Sequence, residues 1–298
     1  MDVAILGCGY VGLALGDALL AAGHRPIGVR RSDDGLRAVE AAGLEAVRAD
    51  VTDPGTLEAV PDVGALAFTA SSGGGDADAA RAVYVDGLRS AVEAFAARER
   101  PPERFLYTSS TGVYGDHGGE WVDEDSELRP ATAKAEVLVE AEEVARTAVD
   151  YGMDATVARL GGVYGPGRYR IDRYLEGPVT EGYLNLIHRD DAAGALRFLF
   201  ERGAGGADVP ETVLVVDDEP AWKPDLSAWL AAACGVEAPP VRTLDERLAD
   251  DDLSAGSRRR LRSQKRCSND RLRALGYDLA YPTFRDGYRD AVEDYFAD

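Results

Sequence analysis

Cysteine, lysine and histidine are scarce in this chain of 298 residues, which carries three of each. Cys8, Cys234 and Cys267 form no CxxC pair and no even framework, which excludes a disulfide scaffold and points to a reducing compartment. His24, His117 and His188 are scattered without metal-ligand spacing, so no metal site is expected. No apolar run reaches the length of a membrane span. The N-terminal stretch MDVAILGCGYVGLALGDALLAAG lacks the basic start of a signal peptide and is interrupted by Asp17, so it reads as strand, turn and helix. A cytoplasmic protein with no membrane partner is expected.

Positive charge is also short: 33 basic residues stand against 53 acidic ones, a net charge of −20. That balance excludes non-specific nucleic-acid binding, which needs a basic face. The acidity reads as a solvated, self-repelling surface, and the excess of arginine over lysine suits the halophilic setting of a high-salt cytoplasm. A small-molecule substrate is the expected partner.

Short apolar runs alternate with amphipathic stretches through the first half. Residues 3–6, 25–30, 44–49, 64–70, 104–110 and 154–160 read as strands. Helical patterns lie between them at 11–22, 33–42, 54–60, 78–99 and 132–149. Strands joined by helical crossovers predict an α/β fold with a doubly wound parallel sheet of Rossmann type. Beyond residue 165 the pattern is irregular, with a helix at 188–202, a strand in ETVLVVDD, and helices at 222–234 and 268–275 ending at Gly235 and Gly276. The expected division is a dinucleotide-binding domain over 1–165, with segments within 185–218 returning to it, and a smaller C-terminal α+β substrate lobe over 166–298.

GCGYVG at 7–12 is a GxGxxG motif between the first strand and the first helix. Gly7 permits the tight turn, Gly9 lets the backbone approach a pyrophosphate, and Gly12 permits close helix–strand packing. Tyr10 and Val11 open the helix whose N-terminus supplies donors and a favourable dipole. The second strand ends in GVRRS. Arg30, Arg31 and Ser32 stand where an acidic residue would bind a ribose 2′-hydroxyl, and a guanidinium there suits a 2′-phosphate, hence NADP rather than NAD. A surface arginine pair is the plainer reading of the same residues. Asp50 and Val51 after the third strand, and Thr69, Ala70 and Ser71 after the fourth, fall where the adenine and diphosphate-ribose would lie.

With YTSSTGVYG (107–115), RLGGVYGPGR (159–168) and NLIHRDDAAGAL (185–196) following GCGYVG in order, the chain resembles the extended short-chain dehydrogenase/reductase superfamily, in its NAD(P)-dependent epimerase/dehydratase branch. VVDDEPA (215–221) and residues 265–288 resemble an atypical subgroup. The resemblance implies a catalytic Ser or Thr, Tyr and Lys. The tyrosine is the acid/base, and the lysine lowers its pKa and binds the nicotinamide ribose. The serine position falls on Ser110. Thr111 and Gly112 stand where dehydratases carry Asp-Glu, which argues against a sugar-nucleotide dehydratase.

The YxxxK pair is missing. Alignment on Val139-Glu140 puts Thr132 at the tyrosine position and Glu136 at the lysine position, whereas alignment on Lys134 puts Pro130 at the tyrosine position. Lys134 lies about 200° around the helix from Glu136, so it is expected to face away from the cofactor. Tyr114 is a candidate surrogate acid, though such VYG tyrosines also serve packing. His117 reads as a surface residue, and Asp190 or Asp191 as the cap of the helix after His188. Tyr164 and Arg168 are candidate substrate contacts, with Arg170 and Arg173 in the same loop. The basic cluster 257–266 reads as an anion site or a solvated face.

Two functions stay open. One is an NADP-binding oxidoreductase or epimerase acting on a small anionic or nucleotide-sugar-like substrate without the standard Tyr/Lys mechanism, its ligand in the crevice between the lobes. The other is a catalytically silent NADP-binding sensor or regulatory protein. By analogy with the superfamily, a homodimer could form through the helices near 78–99 and 132–149.

Overall fold

The computed structural model describes residues 1–74 and 76–296. Seven strands build the central sheet: β1 (Asp2–Leu6), β2 (Arg25–Arg30), β3 (Glu45–Arg48), β4 (Ala65–Phe68), β5 (Arg104–Ser110), β6 (Asp154–Leu160) and β7 (Thr212–Val215). Their order is β7-β6-β5-β4-β1-β2-β3, the doubly wound arrangement in which the chain reverses direction beside β1. The sheet is parallel, with Ile5 opposite Gly28 on one side and Ala67 on the other. Strands buried on both faces read as continuous apolar runs, and Val3, Ala4, Ile5 and Leu6 are all fully buried.

The chain divides into two compact units, one of 1–110, 133–159 and 192–213, the other of 111–132, 160–191 and 214–298. Residues 111–132 and 160–165 group with the second unit. The reason is non-local pairing: Trp121–Val122 joins Arg266–Cys267, and Gly162–Tyr164 joins Leu186–His188.

In the first unit, helices α1 (Tyr10–Ala21) and α2 (Asp33–Ala41) follow β1 and β2. The expected helix at 78–99 is present as one continuous helical run over 77–96. It forms α3 (Ala77–Arg81), a π-helical turn (Ala82–Gly87) and α4 (Leu88–Ala96). Gly87 in that turn lies against Val51, whose carbonyl oxygen would be 3.1 Å from a Cβ at this position. Helix α5 (Ala133–Arg146) gives way to a tight turn at Thr147–Tyr151, and α6 (Arg189–Ala204) runs on towards β7. Leu6, Ile27, Phe68, Leu88, Phe95 and Tyr107 fill the core between sheet and helices, each burial stabilising by about 1.5–3 kcal/mol.

The second unit is held by short ladders and by an apolar cluster of Tyr164, Leu226, Leu230, Phe284 and Tyr288. Its helix α7 (Lys223–Cys234) ends at Gly235, whose φ of +68° closes the helix in the left-handed conformation. Cys8, Cys234 and Cys267 are buried, and among the described residues they form no disulfide. Among the described residues no helix is long and apolar enough to cross a membrane, and no group of His, Cys, Asp and Glu could hold a metal ion.

Candidate functional site

The first unit concentrates the expected cofactor residues at the C-terminal ends of β1, β2 and β4. Gly7 has φ +81°, and a Cβ there would overlap the backbone of Ala70. The hydroxyl of Thr69 donates to the Gly7 carbonyl at 3.1 Å and tightens the same contact. Gly12 brings α1 close to the sheet: a Cβ would stand 2.9 Å from Thr69 Oγ1 and 3.0 Å from Ile5 Cγ2. Helix α1 starts at Tyr10, and Gly9 offers no side chain to cap it. The cap position therefore supplies no side-chain acceptor to the first turn of α1, and a helix N-terminus beside a glycine turn favours a bound anion.

Arg30 lies across this turn. Its Nη1 would be 2.8 Å from a Cβ at Gly9, and its Nε lies against Gly35 in the first turn of α2. The guanidinium has no hydrogen-bond or ion-pair partner among the described residues. Arg31 points elsewhere, to Asp50 Oδ2 at 3.3 Å. Burial raises the Asp50 carboxyl, but hydrogen bonds from Thr52 and the Arg31 charge outweigh it and lower the pKa. Ser32 caps α2, accepting from the Gly35 N–H at 3.2 Å, so its hydroxyl has a local structural partner. Val51 is buried with its side chain in the core, which leaves only its backbone to face a ligand. Burial pushes the Cys8 thiol up to about 12 against the nearby Arg30 charge, which makes it inert as a nucleophile near neutrality.

Ser110 ends β5, half-buried. Its neighbour Ser109 points to the opposite face and donates to Glu142 Oε1 at 2.6 Å. Glu142, fully buried on α5, also receives Arg159 Nη2 at 2.7 Å and Arg146 Nη2 at 3.2 Å. This buried ion pair ties α5 to β5 and β6, and no motif in the sequence marks it.

Helix α5 departs from expectation at its start. Glu136 is exposed, and Lys134 is half-buried with Nζ donating to Ser72 Oγ at 3.1 Å. Lys134 therefore faces the loop after β4, next to Thr69, Ala70 and Ser71, and not away from it. In the first turn of a helix a long side chain leans back towards the N-terminus, a direction that angular counting from Glu136 leaves out. Tyr84, from the π-helical turn, joins the same place: its Oη accepts from the Ser72 N–H at 3.2 Å, and Lys134 Nζ is 5.8 Å from its ring centre.

In the second unit, Tyr114 is fully buried, its ring edge-on to His117 at 6.4 Å. Thr132, at the usual tyrosine position, is half-buried just before α5. Tyr164, a candidate substrate contact, is buried: it stacks on Tyr288 at 4.7 Å and its hydroxyl fits against Gly287. His188 packs against Tyr281 at 3.8 Å, and burial lowers its pKa. Asp191 does not serve as a simple helix cap. Its carboxylate accepts from the N–H groups of Ala280 and Tyr281 at 2.8 and 2.7 Å, which fixes the distant 277–281 turn. Arg168 is exposed in a loop where Arg170 takes φ +53°. The basic cluster splits: Arg259, Arg260 and Arg262 lie on one short helix, whereas Lys265 is buried with Nζ 3.3 Å from the Gly115 carbonyl.

Known proteins resemble this chain in sequence and in fold. The model of the NAD dependent epimerase/dehydratase family matches residues 3–206. Protein YeeZ of Escherichia coli K12 is 33% identical over 215 residues, 68% of this chain and 74% of that protein. A functionally unknown conserved protein of Silicibacter pomeroyi is 30% identical, with a TM-score of 0.76 over 98% of both chains. The human epimerase family protein SDR39U1 (isoform 2), solved with NADPH, is 20% identical and shares the fold, with a TM-score of 0.79 over 99% of this chain and 100% of that one. The chain belongs to the NAD dependent epimerase/dehydratase family.

Proposed function

We propose that this chain is an NADP-dependent oxidoreductase or epimerase of its family, acting on a small anionic or nucleotide-sugar-like substrate without the usual YxxxK pair. The observation that carries the cofactor choice is Arg30, a guanidinium lying against the glycine turn with no protein partner among the described residues. A 2′-phosphate would give it the charge-assisted hydrogen bonds it lacks. Gly7, Gly9, Gly12 and the start of α1 would hold the diphosphate, while Asp50, Val51, Thr69, Ala70 and Ser71 would border the adenosine and ribose. When bound, NADP supplies oxidation–reduction chemistry. The chain's own part is to bind it, to orient the substrate through Ser110, and to move a proton. That a relative of the same fold was solved with NADPH supports the choice.

Removing one charge-assisted contact costs about 1.5–3 kcal/mol, roughly a 10- to 150-fold loss of affinity. Calorimetry on Arg30→Ala tests the reading: NADPH affinity falls by that factor and NADH affinity stays within twofold. An unchanged NADPH affinity would contradict it. Thr132 and the exposed Glu136 support a second reading, an NADP-binding sensor without turnover.

A further inference from the structure

Three groups converge on the loop that follows β4. Tyr84 comes from the π-helical turn, Lys134 from the first turn of α5, and Ser72 from the loop itself. Ser72 touches both others, its N–H donating to the Tyr84 hydroxyl at 3.2 Å and its Oγ accepting from the Lys134 ammonium at 3.1 Å. The cluster begins two residues after Ala70, which packs directly on Gly7, and it lies at the C-terminal ends of parallel strands, where open α/β sheets bind ligands.

Lys134 is one of only three lysines in a chain with 53 acidic residues, yet it pairs with no carboxylate among the described residues. Arg81, one turn before Tyr84, does have such a partner, since it grips Glu140 at 2.7 and 2.5 Å. The charge left for the Tyr84 phenol is therefore an ammonium. Exposed Ser71 and half-buried Ser72 and Lys134 connect the largely buried phenol with the surface.

We propose that Tyr84, Lys134 and Ser72 form the proton-transfer group of this chain, with phenol and ammonium contributed by two helices instead of by α5 alone. The proposal rests on the NADP reading above. The ligand class is an alcohol, such as a sugar hydroxyl. Its O–H bond breaks, an O–H bond forms on the Tyr84 phenolate, and the electron pair stays on the ligand oxygen; the reverse step returns the proton. Lys134 and the Ser72 N–H stabilise the phenolate between turnovers.

Electrostatics agree with the geometry. Burial raises the Tyr84 phenol, but hydrogen bonding to Ser72 and Ser71 and the Lys134 charge outweigh it and bring the group below its ordinary range. Tyr107 on β5 is a further titratable group nearby, and it in turn feels Glu142 on α5, which pairs with Arg159. Tyr107 shows the contrast. It is fully buried, has no hydrogen-bond partner for its hydroxyl among the described residues, and is pushed far upward by burial.

The test is a ¹³C NMR titration of protein labelled at tyrosine Cζ, with the Tyr84 signal assigned among the 13 tyrosines from Tyr84→Phe. In free protein the Tyr84 midpoint falls below the ordinary value of about 10. It moves up in Lys134→Gln and stays low in Lys134→Arg, which keeps the cation. A midpoint at or above about 10 in wild type, or one indifferent to Lys134→Gln, overturns the proposal. The titration is repeated with saturating NADP⁺ and with NADPH, which differ by the positive charge on the nicotinamide. The midpoint is lower with NADP⁺ by about half a pH unit or more if the phenol faces that ring. Equal midpoints with both bound nucleotides overturn the proposal and leave the NADP reading intact, whereas failure of either nucleotide to bind overturns that reading first.

Discussion

Neutralising Glu142 takes the buried carboxylate away from Arg159. In Glu142→Gln the amide can still face Ser109, but Arg159, 3% exposed, loses its counter-charge. Two unit charges about 3 Å apart at an effective dielectric near 20 attract by roughly 5 kcal/mol. That gain is largely offset by the cost of desolvating both ions, so the intact pair contributes little net stability. Removing one partner leaves the desolvation cost of the other uncompensated, about 3–5 kcal/mol. At roughly 2–3 °C per kcal/mol the variant should melt about 6–15 °C below wild type in scanning calorimetry. The paired substitution Glu142→Leu with Arg159→Met removes both charges together and should recover more than half of that loss. Strictly additive single and double variants would refute the reasoning, because they would mean that Arg159 and Glu142 are solvated independently of each other.

Two further predictions concern charge. Burial, reinforced by the nearby carboxylates of Glu219, Asp218 and Asp191, raises the Asp217 carboxyl well above its usual range. The folded state therefore holds a proton that the unfolded chain loses above about pH 4, and this group makes stability fall as pH rises from there towards the folded pKa. Asp217→Asn should remove that slope, so its melting temperature gains on wild type at pH 8 but not at pH 4; a gain independent of pH would contradict the assignment. The net charge of −20 predicts that molar KCl, by screening self-repulsion, raises the melting temperature by several degrees, and a flat or falling response would remove the halophilic reading.

Much of the sheet was legible because strands buried on both faces leave unbroken apolar runs, and GCGYVG locates the first crossover. Arg30 was legible too, since its place at the end of β2 follows from counting. Three things were not. The π-helical turn at Ala82–Gly87 adds a residue to a helix without disturbing its apolar spacing enough to be seen, so Tyr84 carried no signal. Lys134 was misdirected because side-chain lean in a first helical turn is invisible to angular counting. Nor does any local pattern encode the pairing of Trp121–Val122 with Arg266–Cys267, well over a hundred residues along the chain, within the second unit. Tyr164 illustrates the same limit: its VYG motif says where it sits in the chain, but only Tyr288 and Gly287 show that it is core.

NADP is proposed to bind at the glycine turn and Arg30. The direct measurement is calorimetric titration of wild type with NADPH and NADH in high-salt buffer. NADPH should bind at least about tenfold tighter than NADH, one charge-assisted 2′-phosphate contact being equivalent to about 1.5 kcal/mol or more. Equal affinities, or tighter binding of NADH, would contradict it.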